Sequence, residues 1–433
     1  MLDSFYGSGS GKEGCRKNNQ MLMFVLVLFS VIPVSVLAQE PWTLEDSIQR
    51  AVEIAPEARA AEAVVRVREG ALKQAGVWPN PQIELRIDDS MSKDEGGSGT
   101  DFTQFAFSQS LPLNGRLGHQ RHVAGAQLDA ARSQRLYQQV RLETQVAQRY
   151  HSLQLATERL RLAGLRLQLA DALRDAGRQR ERAGELSRLE RLRLDLIRES
   201  AQQILDRSEG KANEALSRFR TYLGLTFEAA ETELQLTPLT PFDAIPALAQ
   251  LQASLSQHPA VLAVRQQLEA AQAEIKLVRA ERIPDPTLSL FRERDSLNGH
   301  RQNVNGIGVG FTLPIWDRSS GRISAARAQV VQIQSELQVL TRDLSGRLQQ
   351  SHLHLSHLVQ QGRHYRSRVF EPAQQVFDLT RKAYASGEVE ILSLIDANNT
   401  YFDARERYLE LLQEAWQEAA ELRLAAGHRF KND

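Results

Sequence analysis

Two periodicities share this chain. Ile83 to Asp88 alternates Ile83, Leu85 and Ile87 with Glu84, Arg86 and Asp88, the period of a strand with two unlike faces. A partner strand is expected from Phe102 to Leu111, with Phe105, Phe107 and Leu111 on one side and Ala106, Ser108 and Ser110 on the other. Further on, Leu288 and Leu290 mark a third strand. A fourth places Ile307, Val309, Phe311 and Leu313 opposite Gly306, Gly308, Gly310 and Thr312. Such alternation suits a barrel wall between lipid and water, and equally an antiparallel sheet with one buried face. Gly- and charge-rich stretches at Ser92–Thr100 and Asp295–Asn303 read as hairpin-end loops.

The rest of the chain is helical in pattern, on an unusual scale. From Arg116 to about Ala183 no proline intervenes, which gives about 100 Å of helix at 1.5 Å per residue. Gly321 to Ala385 gives a second helix of nearly the same length, with a kink expected at Pro372. Spaced leucines such as Leu153, Leu160 and Leu167 suit helix–helix packing.

Landmarks recur in order at a spacing of about 200 residues. Pro56 returns as Pro259, Pro79-Asn80-Pro81 as Pro284-Asp285-Pro286, and Leu111-Pro112-Leu113 as Leu313-Pro314-Ile315. Ala183-Gly184-Glu185 returns as Ser386-Gly387-Glu388. The chain therefore reads as a tandem duplication, residues 39–237 and 238–433. Each copy runs helix, strand, strand, very long helix, tight break, shorter helix. Four strands cannot close a barrel, for which about eight is the practical minimum. Oligomerisation is expected, and three copies supply twelve strands.

The N-terminus changes the picture of compartment. Arg16 and Lys17 precede an apolar run from Met21 to Leu37, and Val36-Leu37-Ala38 before Gln39 has the form of a signal-peptidase site. Residues 1–38 are expected to be a cleaved export signal, with translation starting at Met1 or Met21. Its removal takes the sole cysteine, Cys15, so no disulfide or thiolate chemistry is expected in the mature chain. A formal net charge of zero lacks the basic excess of a nucleic-acid binder.

Candidate chemistry is sparse. His352, His354, His357 and His364 cluster on one predicted helix. His354, His357 and His364 share a face, but no acidic or cysteine partner stands at ligand spacing, so a solvated face is the simpler reading. No phosphate loop, G-x-S-x-G or H-E-x-x-H occurs, and Gly306-x-Gly308-x-Gly310 lacks the helix a dinucleotide loop needs. Neither catalysis nor a cofactor is expected.

These landmarks resemble the outer-membrane efflux (TolC-type) family, from Trp42 to Gly427. Ala75-Gly76-Val77-Trp78-Pro79-Asn80-Pro81, Leu313-Pro314-Ile315-Trp316-Asp317 and Tyr384-Ala385-Ser386-Gly387 before Leu394-Ile395-Asp396-Ala397 resemble its heavy-metal cation branch. The resemblance implies a mainly helical fold with a small β part. It implies a homotrimer whose twelve-stranded outer-membrane barrel, set in lipid, continues as a helical barrel across the periplasm. A periplasmic adaptor and an inner-membrane proton-driven pump are the implied partners, and no catalytic site is implied. Gly184 and Gly387 are expected at the periplasmic tip, with Glu185, Leu186, Ser187, Glu388 and Val389 facing the adaptor. Asp396 matches an acidic residue ringing the mouth, Ser393 departs from a second acidic position, and Tyr384 matches a tyrosine that links the closed mouth. Ducts for small organic solutes share this pattern. A soluble periplasmic coiled-coil protein would account for the helices but not for the strands.

Overall fold

The computed structural model describes residues 42–88, 102–225, 236–242, 245–297 and 300–429. The expected export signal over residues 1–38 and the expected loop at Ser92–Thr100 fall outside these ranges. Helices α1 (Leu44–Ile54) and α2 (Pro56–Gln74) lead into strands β1 (Gln82–Asp88) and β2 (Phe102–Ser110), then α3 (Arg116–Arg182) and α4 (Arg188–Tyr222). The order then recurs as α5 (Leu248–Ser254), α6 (Pro259–Glu281), β3 (Thr287–Leu297), β4 (His300–Gly310), α7 (Ser320–Tyr365), α8 (Glu371–Ala385) and α9 (Ile391–Ala426).

Helix starts follow local chemistry. Thr43 and Asp46 form a capping box at α1, and Ser187 with Glu190 forms another at α4. Pro56 and Pro259 each occupy the first turn of a helix, where the missing N–H costs nothing. Helix α3 runs 67 residues without interruption. Its counterpart is α7, a five-residue π turn at Arg366–Phe370, and α8. The irregularity expected at Pro372 is this π turn: proline offers no N–H to the preceding turn, and the ladder widens ahead of it.

The strands form one antiparallel sheet in the order β1-β2-β3-β4, leaving β1 and β4 as edges. Two expectations are corrected. Most of Asp295–Asn303 is strand: residues 295–297 and 300–303 lie in the β3–β4 ladder, which continues to Leu297↔His300. Phe311 and Leu313 lie beyond β4, and Leu111 lies beyond β2. Pro314 and Pro112 follow directly and cannot donate to a ladder. The register aligns Ile83, Phe107, Leu290 and Ile307 in one row across all four strands, and all four are exposed. The opposite face carries Ala106, Ser289, Gly306 and Gly308, with the Phe291 ring lying so close over Gly306 that a Cβ there would sit 2.3 Å from it.

The strand–helix joins of the two halves are clamped together. Arg116 Nη2 lies 2.7 Å from a carboxylate oxygen of Asp285, Asn114 Nδ2 donates to the carbonyls of Ala280 and Ile283, and Leu111 N donates to Pro286 O. Below them the apolar core is strung along the helices. One cluster gathers Ile48, Ala51, Val146, Tyr150, Phe219 and Leu223 between α1, α3 and α4. Its counterpart joins Leu251, Leu348, Leu355, Ala415 and Leu422 from α5, α7 and α9. A third, near the helix reversals, holds Leu162, Leu194, Phe377, Tyr384, Leu394 and Phe402. Glu143, fully buried on α3, is met by Arg429 Nε at 3.0 Å, which ties the last described residues to the middle of the longest helix.

Both long helices end in the same way. Gly184 (φ +76°) and Gly387 (φ +79°) take the left-handed conformation. Glu185 N then donates back to Arg180 O and Glu388 N to Ala383 O, the bond pattern of a Schellman reversal. No atom lies near a Cβ at either glycine, so the requirement is conformational and not steric. Gly184→Ala and Gly387→Ala should each destabilise their reversal by about 1–2 kcal/mol. Hydrogen-exchange protection at the amides of Glu185 and Glu388 should drop correspondingly, with helix interiors unchanged.

His151 gives a second test. It is buried on α3, stacked on Trp416 at 4.8 Å, with Nδ1 2.8 Å from Gln154 Oε1, and burial lowers its pKa to about 4. Between pH 6.5 and about 4 the unfolded chain takes up a proton that the folded chain refuses, so stability falls as the pH drops through that window. The loss amounts to about 3 kcal/mol per chain and levels off below it. In His151→Phe this component of the pH dependence of thermal unfolding should vanish.

Candidate channel mouth and helical tip

At the reversals the helices lie side by side in the order α4, α3, α9, α8, each touching its neighbour. The two hairpins are held by different chemistry. Between α3 and α4, Arg191 bridges Glu181 (3.0 Å) and Asp195 (2.5 Å), and Arg198 reaches Asp171 (3.2 Å). Arg178 adds a 3.6 Å contact to Asp195. Between α8 and α9 the contact is aromatic: Phe377 stacks on Tyr401 at 5.1 Å with the rings 13° from parallel, and Phe370 stacks on Tyr408 at 5.3 Å. Ionic rungs join the hairpins. Arg166 Nη2 donates to Asn399 Oδ1 at 2.8 Å, and Arg159, two turns away, pairs with Glu406 and Glu410.

Asp396 and Ser393 are exposed, one helical turn apart on α9, and Thr400 and Asp403 continue the same exposed face. Asp396 has no ion pair among those found for the described residues, while Asp403 lies 3.9 Å from Arg166 and remains 74% exposed. Tyr384 is buried in the tip core instead. Arg180 caps its ring at 4.7 Å, and its hydroxyl has no partner within the protomer. An unpaired buried hydroxyl is costly. On α9 the Asn398 side-chain oxygen is likewise buried and unpaired.

Of the expected tip residues, Gly184, Glu185, Ser187, Gly387 and Glu388 are exposed. Ser187 caps α4, and its hydrogen bonds hold the Glu190 carboxyl below its ordinary pKa. Leu186 and Val389, two residues past each glycine, are half-buried against the tip core. Other apolar positions here are exposed, among them Leu189, Leu192 and Leu196 on α4, Val376 and Leu379 on α8, and Leu392 on α9. The i, i+3, i+7 spacing of the three leucines was present in the sequence and is the signal by which this face is recognisable.

The histidines do not assemble a metal centre. His354 Nδ1 sits 3.0 Å from Glu418 Oε2, His352 Nε2 contacts the Pro246 carbonyl at 3.0 Å, and His357 and His364 are exposed. Among the described residues no group of three or more ligating side chains is placed to hold a metal ion. His354 and Glu418 instead line an open polar cleft of about 460 Å³ with Gln148, Glu414, Gln417 and Glu421.

Comparisons with known proteins agree with this architecture. The chain is 27% identical to the cobalt-zinc-cadmium resistance protein CzcC of Cupriavidus metallidurans, over 88% of this chain and 89% of that protein. It is 26% identical to the pyoverdine export outer membrane protein OpmQ of Pseudomonas aeruginosa, over 90% and 86%. Among solved structures, the outer-membrane channel OprN superposes with a TM-score of 0.71 at 18% identity, covering 89% of both chains. VceC of Vibrio cholerae gives 0.70 at 16% identity, covering 90% of this chain and 97% of that one. The family model for outer membrane efflux proteins matches residues 47–225 and 250–428. The chain belongs to the outer membrane efflux protein family, whose members are channels of the outer membrane.

Proposed function

We propose that this chain is one protomer of a homotrimeric duct, passive and without catalysis, that carries divalent metal cations out of the cell. The observation that carries the reading is the four-stranded sheet, with two unpaired edges and an exposed apolar face, set on helices about 100 Å long. Three such sheets make twelve strands and close the edges. The apolar stripes support the same ring. Leu189, Leu192 and Leu196 lie on α4 and Val376 and Leu379 on α8, the two outer helices of the protomer at the tip, so each stripe can cover the other on a neighbouring copy. Each duplicated half, residues 39–237 and 238–433, would contribute one strand hairpin and one helical hairpin.

At the free end, Glu185, Ser187 and Glu388 around Gly184 and Gly387 would meet a periplasmic adaptor linked to an inner-membrane proton-driven pump. Asp396 and Ser393, on the exposed face of α9, would line the mouth, with Tyr384 behind them in the tip core. Three Asp396 carboxylates around a narrow opening favour cations. The resistance function in the name of the cobalt-zinc-cadmium relative supports metal as cargo, and export of an organic solute by the pyoverdine relative marks the alternative. In planar bilayers Asp396→Asn should weaken block by divalent cations at least about threefold, with the pore otherwise intact; unchanged block contradicts a role at the mouth. Cells lacking this chain should accumulate zinc, cobalt or cadmium under metal challenge. Normal metal content together with lost secretion of an organic solute would assign the duct to the alternative cargo.

A further inference from the structure

A second cleft, of about 220 Å³, runs over α3 between α4 and α9. Tyr150 and Leu153 turn toward α1, whereas Ser152 and Arg159, two turns apart, lie on the opposite side of α3 and line the cleft. Its floor is low because Ser152 and Ala156 are small.

The charge of this cleft is one-sided. Arg159 and Arg166 enter from α3, Arg207 and Lys211 from α4, and the single acidic residue lining it is Glu406. Glu406 is taken by Arg159, whose Nε lies 3.3 Å away yet is buried without a hydrogen bond. Arg166 is held by Asn399. Arg207 and Lys211 have no ion pair among those found for the described residues. Asp206 beside them accepts from Gln202 Nε2 at 2.8 Å instead. The two cations stand four residues apart on α4, a spacing at which like charges repel and weaken a helix. An anion entering the cleft relieves that repulsion and meets the Ser208 hydroxyl on the same wall.

We infer that this cleft binds a multivalent oxyanion, phosphate or a small polycarboxylate, with Arg207 and Lys211 supplying the charge and Arg159 completing the rim. The site is built within one protomer. Its position in the duct rests on the proposed ring. Tyr150 donates to the Trp42 carbonyl at 2.9 Å and Trp416 Nε1 to the Thr240 carbonyl at 2.7 Å, so Trp42, α1, residues 236–242 and α5 form one layer on one side of the long helices. Inside a closed ring that layer would fill the bore, so the cleft on the opposite side faces the bore. Gln148, one turn or about 6 Å from Ser152, already lines the acidic cleft of Glu414, Glu418 and Glu421. An unneutralised basic level beside that acidic one opposes cations, and a bound oxyanion removes the opposition.

The test uses the full chain purified in mild detergent, in low-chloride buffer. Inorganic phosphate is followed by phosphorus NMR line broadening and citrate by its competition with phosphate, and the tighter of the two identifies the oxyanion class. Binding should saturate. Arg207→Ala with Lys211→Ala should weaken it at least about tenfold, and Arg207→Glu serves as a second variant with the same expected loss. Arg182→Ala with Arg193→Ala, which removes the same charge from exposed positions elsewhere on the hairpin, should leave it unchanged. No saturable binding of either anion, or equal loss in both double variants, overturns the site. In planar bilayers phosphate should raise the divalent-cation conductance of the wild type and not of the Arg207→Ala, Lys211→Ala variant. Intact binding without that effect overturns the placement in the bore alone, and a monomeric native mass overturns the ring on which the placement rests.

Discussion

Backbone pairing in hydrocarbon is the constraint on which the rest of this structure depends. Water is not there to satisfy a free N–H or C=O, so a sheet that faces lipid must close on itself. This chain supplies four strands, too few to close, and leaves β1 and β4 with unpaired edges. The apolar row through Ile83, Phe107, Leu290 and Ile307 cannot be hidden by the chain's own helices, because those leave the sheet at one end only. The proposed ring of three copies supplies the partners that the edges of β1 and β4 lack within one chain.

The helical part answers a different demand. A helix of 67 residues cannot be buried around one core, so its stability is distributed. Successive clusters at Val146, Leu355 and Phe402 each use two or three helices, and ionic rungs at Arg159 and Arg166 tie one hairpin to the other between clusters. The two halves share one plan here: the same reversal, at Gly184 and Gly387, ends both long helices. The halves then diverge in side chains, salt bridges holding α3 to α4 and stacked aromatics holding α8 to α9. The hairpin that carries Asp396 is thereby the one with fewer directional bonds to its partner. Packed rings slide more readily than paired ions, so the more adjustable contacts lie on the hairpin that carries Asp396.

Features governed by local rules were legible in the sequence. Proline pairs marked the joins, glycines marked the reversals, and uninterrupted helical spacing marked α3 to within a residue or two. Features governed by pairing between distant segments were not. The polar stretch Asp295–Asn303 reads as a loop by composition, yet its backbone pairs almost throughout. Leu186 and Val389 looked like outward tip residues, but they pack against the tip core, and Leu189, Leu192 and Leu196 are left exposed. The buried Glu143 is a polar residue in a helical stretch, and only the fold reveals that Arg429, near the other end of the chain, reaches it. The histidine cluster illustrates the converse: four imidazoles share one helix, yet His354 meets only Glu418, and among the described residues no three ligating side chains converge.

Closure of the sheet is the central requirement, and native mass measurement of the outer-membrane fraction in mild detergent tests it most directly. Extraction should yield a single species with the mass of three mature chains that does not exchange subunits. A monomer that stays in solution without detergent would contradict the account, because the exposed row on the sheet and the open edges of β1 and β4 would then need another explanation.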